Sequence, residues 1–131
     1  MALGDSITDS AAAANDVNAA WPDVLSRRLP ALKSGAPVSV INMGVGSNRL
    51  ASADAAGLAG LKRLENDVLS RPNVSHLILL EGINDISYEQ IPAEKLIAAY
   101  EQAIDRTHAR GIKVIGATLL PIQNSRKDTL I

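Results

Sequence analysis

Cysteine and phenylalanine are both absent from the 131 residues, and aromatic side chains of any kind make up only 2%. Without cysteine there are no disulfides and no thiolate metal sites, and the redox compartment stays open. Without phenylalanine, the 47% of hydrophobic residues must build a core from Leu, Ile, Val and Ala. An excess of one charge is also missing. Thirteen basic residues meet 14 acidic ones for a net charge of −1, so no bulk attraction favours nucleic acid or an anionic membrane. No apolar run approaches the roughly 20 residues that span a bilayer. Met1-Ala2-Leu3 shows neither the basic nor the apolar region of a secretory signal. These absences predict a soluble protein with no membrane or nucleic-acid partner. The cytoplasm is its default location, and it is secreted only if the true N-terminus lies upstream.

The chain is long enough for one domain with a real core, here residues 1–131. Short β-rich runs alternate with helical periodicity, which predicts an α/β fold with a parallel sheet. Val38–Met43, His76–Glu81 and Ile112–Thr118 are near-continuous apolar runs, as strands covered on both faces would be. Trp21, Val24, Leu25 and Leu29 form a helical stripe with Pro22 in its first turn. Leu58, Leu61, Leu64 and Val68 form a second, ended by Arg71-Pro72. A third helix runs from Pro92 to Arg110, with Leu96, Ile97, Tyr100, Ala103, Ile104 and Thr107 inward and Gly111 as its cap. Ser10–Asn18 and Ser34–Pro37 read as loops. Met1–Leu3 is left as a very short first strand, a poor keystone for a sheet. With the tail Pro121–Ile131 ending where another helix is expected, both ends look cut.

In an open parallel sheet, ligands bind outside the carboxyl ends of the strands. Three of the four strands run there into small, polar turns: Gly4-Asp5-Ser6, Gly44-Val45-Gly46-Ser47-Asn48 and Gly82-Ile83-Asn84-Asp85. Ser6 would open a helix, where unpaired backbone N–H groups favour a developing negative charge. The glycine-rich second loop lets N–H groups approach a ligand, and Asn84 adds an amide donor. A nucleophile with three convergent donors is what acyl transfer requires. Other readings exist for each residue. Ser6 serves equally as a helix cap, Asn84 as a turn residue, and Asp5 as an Asx brace for the Gly4 turn. Glu81 and Asp85 without a histidine are weak evidence for a metal. Gly44-x-Gly46 lacks the third glycine of a dinucleotide loop, Arg49 standing in its place.

On these residues the chain resembles the SGNH hydrolases, the GDSL-type esterase and lipase family. Gly4-Asp5-Ser6-Ile7-Thr8 is similar to the family's first block, Asn42–Leu50 to its second and Gly82–Asp85 to its third. Trp21–Leu25 and Gly111–Leu120 resemble a branch related to carbohydrate esterases. The resemblance implies a three-layer α/β sandwich with a flavodoxin-like sheet, incomplete at the C-terminus. It also implies hydrolysis of a small-molecule or carbohydrate-linked ester without any cofactor. Ser6 is then the nucleophile, and the oxyanion hole comes from the N–H groups of Ser6 and of Ser47 or Gly46 and from the Asn84 side chain. Gly46 and Asp5 stand on the substrate side. Many relatives have glycine where this chain has Ser47, so a positive φ there would be less comfortable than usual.

The family's last block, an aspartate three residues before a histidine, is expected to be missing. His76 and His108 are the two histidines, both expected at the sheet edge opposite Ser6. Little turnover is expected of the isolated chain. The alternative is a non-catalytic, degenerate binding or structural domain. An uncovered sheet face would invite self-association.

Overall fold

Three residues at the start of the chain carry the sheet. The computed structural model describes residues 1–10, 17–32, 37–53 and 57–119, and β1 (Ala2–Gly4) lies at the centre of its sheet. β2 (Asn42–Gly44) pairs with it on one side and β3 (His76–Leu80) on the other, with β4 (Lys113–Gly116) beyond β3. All pairs are parallel, in the order β2-β1-β3-β4. The expected poor keystone holds because its backbone is bonded on both flanks. Ala2 N–H donates to Ile41 at 2.9 Å, Ile78 N–H to Met1 at 2.9 Å, and the N-terminal ammonium to the His76 carbonyl at 2.9 Å.

Among the described residues four α-helices accompany the strands: α1 (Ser6–Asp9), α2 (Trp21–Arg28), α3 (Gly60–Leu64) and α4 (Ala93–His108). A 3-10 turn (Leu29–Leu32) follows α2 and a π turn (Glu65–Leu69) continues α3. Parallel crossovers are right-handed. The step from β1 to β2 runs opposite to the steps from β2 to β3 and from β3 to β4. α2 therefore covers one face, and α3 and α4 the other, giving a three-layer α/β sandwich with the first strands of a flavodoxin-like order. The core is on the α3/α4 side: Leu3, Leu50, Leu64, Val68, Leu77, Leu79, Leu96, Ala99 and Ala103 are buried together. Each fully buried Leu contributes about 1.5–3 kcal/mol. No cysteine or phenylalanine is needed.

Several boundaries differ from the sequence reading. Val38–Met43 and Ile112–Thr118 shorten to Asn42–Gly44 and Lys113–Gly116. Both strands are edges, so neither is covered as an inner strand would be, and Val38, Ile41 and Ile115 are about half exposed (55%, 52% and 49%). β2 has only the three-residue β1 to pair with. Leu58 lies outside α3 and is exposed, as is Ile97 on α4, where Ala99 packs inward instead. The loops at Ser10–Asn18 and Ser34–Pro37 fall partly, and the tail Pro121–Ile131 wholly, outside the described residues. Among the described residues no helix is long and apolar enough to cross a membrane.

Candidate active site

The first turn is built by close approach. A β-carbon on Gly4 would stand 2.0 Å from Thr8 Oγ1 and 2.8 Å from the Leu80 carbonyl, so only glycine lets α1 fold back onto the strand end. Asp5, 1% exposed, caps α1 by accepting the Ile7 N–H on Oδ1 at 2.8 Å. This is the Asx brace read from the sequence. Ser6 follows as the first residue of α1 and is half-buried. Among the described residues neither its hydroxyl nor its N–H has a hydrogen-bond partner. Buried Thr8 holds the helix down, accepting from Trp21 Nε1 at 3.3 Å and, through its carbonyl, from Asn42 Nδ2 at 2.8 Å.

The second loop is fastened to the first. Val45 N–H donates to the Gly4 carbonyl at 3.0 Å, and a β-carbon on Gly44 would lie 2.3 Å from the Asp9 nitrogen. Val45 to Asn48 then forms a tight turn, closed by Asn48 N–H on the Val45 carbonyl at 3.1 Å. Ser47 is exposed at its tip with φ +61°, a left-handed conformation natural to glycine. The Gly46 N–H donates to Asp9 Oδ2 at 3.1 Å, whereas among the described residues the Ser47 N–H has no partner.

Asn48 joins the second loop to the third. It is 1% exposed and, besides its N–H, bonded at three further atoms: Oδ1 accepts from Arg63 at 2.6 Å, Nδ2 donates to Leu58 at 2.9 Å, and its carbonyl accepts from Asn84 Nδ2 at 2.8 Å. The Asn84 amide carries two N–H groups, so one bond orients it and leaves the second to offer. Asn84 opens a π turn (Asp85–Glu89) that the sequence pattern did not reveal. Asp85, fully buried, accepts Leu50 and Ala51 N–H at 2.7 and 2.8 Å.

Among the described residues three buried acids lie beneath these loops: Asp5, Glu81 and Asp85. Burial pushes the Glu81 carboxyl up to about 9, with the Asp5 and Asp85 charges adding to the effect and Arg63 opposing it. Burial also raises Asp5, partly offset by its bond from Ile7. Among the described residues no group of three or more His, Cys, Asp or Glu could hold a metal ion.

The structure thus brings Asp5, Ser6, Gly46, Ser47 and Asn84 to one sheet edge, on loops bonded to each other. Both histidines lie elsewhere. His76 begins β3, four residues before Leu80, which pairs with Gly4; at ~3.3 Å per residue that is ~13 Å away along the strand. His108 ends α4, two turns or ~12 Å beyond Tyr100, whose hydroxyl donates to the Glu81 carbonyl. One correction concerns the expected missing block. An Asp-x-x-His does occur, as Asp105-Arg106-Thr107-His108. Both its acid and its histidine are exposed on the last turn of α4, by the edge where Lys113 pairs with His76. That is the wrong end of the sheet for Ser6. Sequence reasoning missed Asn48, Asp9 and Arg63 as the parts that fix the loops, and Asp85 as a bridge between loops. Asn48 and Asp85 stood inside the quoted blocks, but nothing in the pattern says which polar neighbour turns inward.

The profile of the GDSL-like Lipase/Acylhydrolase family matches residues 2–129. No curated protein sequence matches the chain. Among solved structures, AlinE4, an SGNH-hydrolase family esterase, superposes with a TM-score of 0.75 at 21% identity, over 92% of this chain and 59% of that one. A serine-to-alanine mutant of the same esterase gives 0.75 at 20% identity, over 93% and 59%. An aspartate-to-alanine mutant gives 0.72 at 22%, over 88% and 55%. At these identities the likeness is one of fold, and the chain spans under three fifths of the length of those structures.

Proposed function

Because the chain belongs to the GDSL-like lipase/acylhydrolase family, a family of ester hydrolases, we propose that it carries the nucleophile and oxyanion parts of a serine esterase site. Ser6 attacks the acyl carbonyl of a small-molecule or carbohydrate-linked ester. The developing oxyanion is held by the Ser6 N–H, the Ser47 N–H and the second amide hydrogen of Asn84. One observation carries this reading: the three loops are bonded in series, Val45 to Gly4 and Asn84 to Asn48, at one edge of the sheet. Between the two candidate second-loop donors, the Asp9 carboxylate on the Gly46 N–H favours Ser47 for the oxyanion and leaves Gly46 a place beside the substrate. Asp5 shapes the substrate side through its cap on α1.

A histidine oriented by an acid must take the Ser6 proton and return it to the leaving alcohol. Neither His76 nor His108 is near enough, so the base comes from outside these residues, in further chain or in a partner. Without it, oxyanion stabilisation and binding leave a residual acceleration of roughly 10³–10⁴-fold over water. The reading is tested with p-nitrophenyl acetate and the purified chain beside Ser6→Ala. Slow hydrolysis is expected, and because that residual rate comes from the oxyanion donors and binding, Ser6→Ala keeps most of it. Rapid turnover lost in the variant would place a working base inside the chain. No acceleration over the uncatalysed reaction in either protein would make it the non-catalytic domain of the alternative reading.

A further inference from the structure

The site proposed above makes no chemical use of Glu81, yet Glu81 is the acid whose burial is least compensated. It has no exposed surface, and among the described residues neither carboxyl oxygen has a hydrogen-bond partner. Asp5, at the neighbouring strand end, is in the same position by half: Oδ1 takes the Ile7 N–H, and buried Oδ2 takes nothing. An ionised carboxylate only accepts, so two ionised groups here would leave three oxygens facing no donor. Buried charges without partners are avoided in folded proteins, and two close carboxyls do not both ionise.

Among the described residues the charged neighbours supply no other remedy. The charged and titratable groups around Glu81 are Asp5 from the β1–α1 turn, Asp85 from the π turn, Arg63 from α3 and Tyr100 from α4. Asp85 is already satisfied by two backbone N–H groups. The Arg63 guanidinium is engaged by Asp67, Asn48 and the Met43 carbonyl. The Tyr100 hydroxyl is spent on the Glu81 backbone carbonyl. A proton retained on the acids themselves is the remaining donor. Glu81 is also well placed to transmit order. Its Oε1 and Asn48 Oδ1 both flank Gly60, 3.4 and 3.5 Å from where a β-carbon would stand. Its carboxyl thus lies beside the loop that orients Asn84, while its backbone follows Leu80, the partner of Gly4, as Asp5 follows Gly4 on the adjacent strand.

We propose that Glu81 and Asp5 share one proton at neutral pH, and that this pair fixes the Ser6 turn against the end of β3, making Glu81 a positioning residue for the nucleophile. The pair deepens the esterase reading, and only its value to catalysis rests on that reading. The proton itself is held whether or not Ser6 reacts. It follows that Glu81 titrates late. The unfolded chain releases this proton at an ordinary glutamate value, while the folded chain keeps it until about 9. Its contribution to stability is therefore full in acid and is lost as pH rises through that window, by up to about tenfold in the folding constant per pH unit.

Three measurements on the purified chain test the pair without requiring catalysis. Infrared spectra at pH 7 should contain the carbonyl stretch of a protonated carboxyl, and Glu81→Gln should remove it. Urea unfolding from mildly acidic pH to pH 9 should show falling stability in the wild type, and Glu81→Gln should lose that slope. Should the Gln variant fail to fold, Asp5→Asn removes the neighbouring charge and ends the fall at a lower pH. Hydrogen exchange at the Ile7 amide, which reads the Asp5 cap, should be unchanged in Glu81→Gln and faster in Glu81→Ala. No protonated carboxyl at pH 7, or the same pH slope in Glu81→Gln as in the wild type, overturns the shared proton. Unchanged Ile7 exchange in Glu81→Ala overturns the positioning role. Absence of Ser6-dependent hydrolysis even with added imidazole, alongside these signatures, counts against the esterase reading alone.

Discussion

Ser47 shows how one residue combines a functional place with a structural cost. Its φ of +61° belongs to the left-handed region, which a non-glycine residue occupies at a cost of about 1 kcal/mol. The turn holds that conformation because Asn48 N–H closes it and the Asn48 side chain is buried and bonded. Ser47→Gly should therefore raise stability by about 0.5–1 kcal/mol in urea unfolding, with the glycine's added freedom in the unfolded chain limiting the gain. The N–H that the site needs remains in the variant. A loss of stability would mean that the serine side chain compensates the strain in a way the geometry does not account for. The residues that the sequence marked, Asp5, Ser6, Ser47 and Asn84, were legible because small polar turns after apolar strands announce themselves. Glu81 was legible only as an acid near the same edge. Its meaning depends on which neighbours lack donors, a three-dimensional fact without a pattern in the chain.

At the scale of elements, the site depends on how closely α1 lies against β1 and β2. Gly44 sets the second of these contacts, since a β-carbon there would meet the Asp9 nitrogen at 2.3 Å and its Cα at 2.7 Å. Backbone cannot step aside as a side-chain tip can. Gly44→Ala should cost about 1–3 kcal/mol, measured by urea unfolding, and should push α1 and Ser6 away from the second loop. A neutral result would show that the helix is free to move, which would weaken the case for a preorganised site. The order and type of the main elements could be read from periodicity, as with Leu64 on α3 and Val68 on the π turn that continues it, or Leu96 and Ala103 on α4. Strand lengths could not. Val38 to Ile41 are as apolar as an inner strand, but pairing partners rather than composition decide where β2 begins. The π turns escaped notice because a one-residue insertion in a helix leaves no distinct hydrophobic period.

The whole molecule is unevenly covered. Leu77 and Leu79 of β3 are sealed beneath α3 and α4, while Ile78 and Leu80 on the other face are only half-buried and Ile115 is 49% exposed. Ile78 and Ile115 are paired across β3 and β4, so they form a continuous apolar row. We expect the purified chain to self-associate through this face, with elution in size-exclusion chromatography moving to larger size as concentration rises. Ile115→Lys should return it toward the monomer, and concentration-independent monomeric elution of the wild type would contradict this.

The central claim is that Ser6 is a nucleophile in a formed site that lacks only its base. A general base in place contributes roughly 10²–10⁴-fold to such reactions, and a small base in solution can replace part of it where the gap is open. The direct measurement is p-nitrophenyl acetate hydrolysis with and without added imidazole, each time subtracting the rate of Ser6→Ala to remove the reaction of imidazole itself. A Ser6-dependent rate that is small alone and rises several-fold, up to about 10-fold or more, with imidazole is the predicted result. A wild-type rate indistinguishable from Ser6→Ala at every imidazole concentration would contradict it.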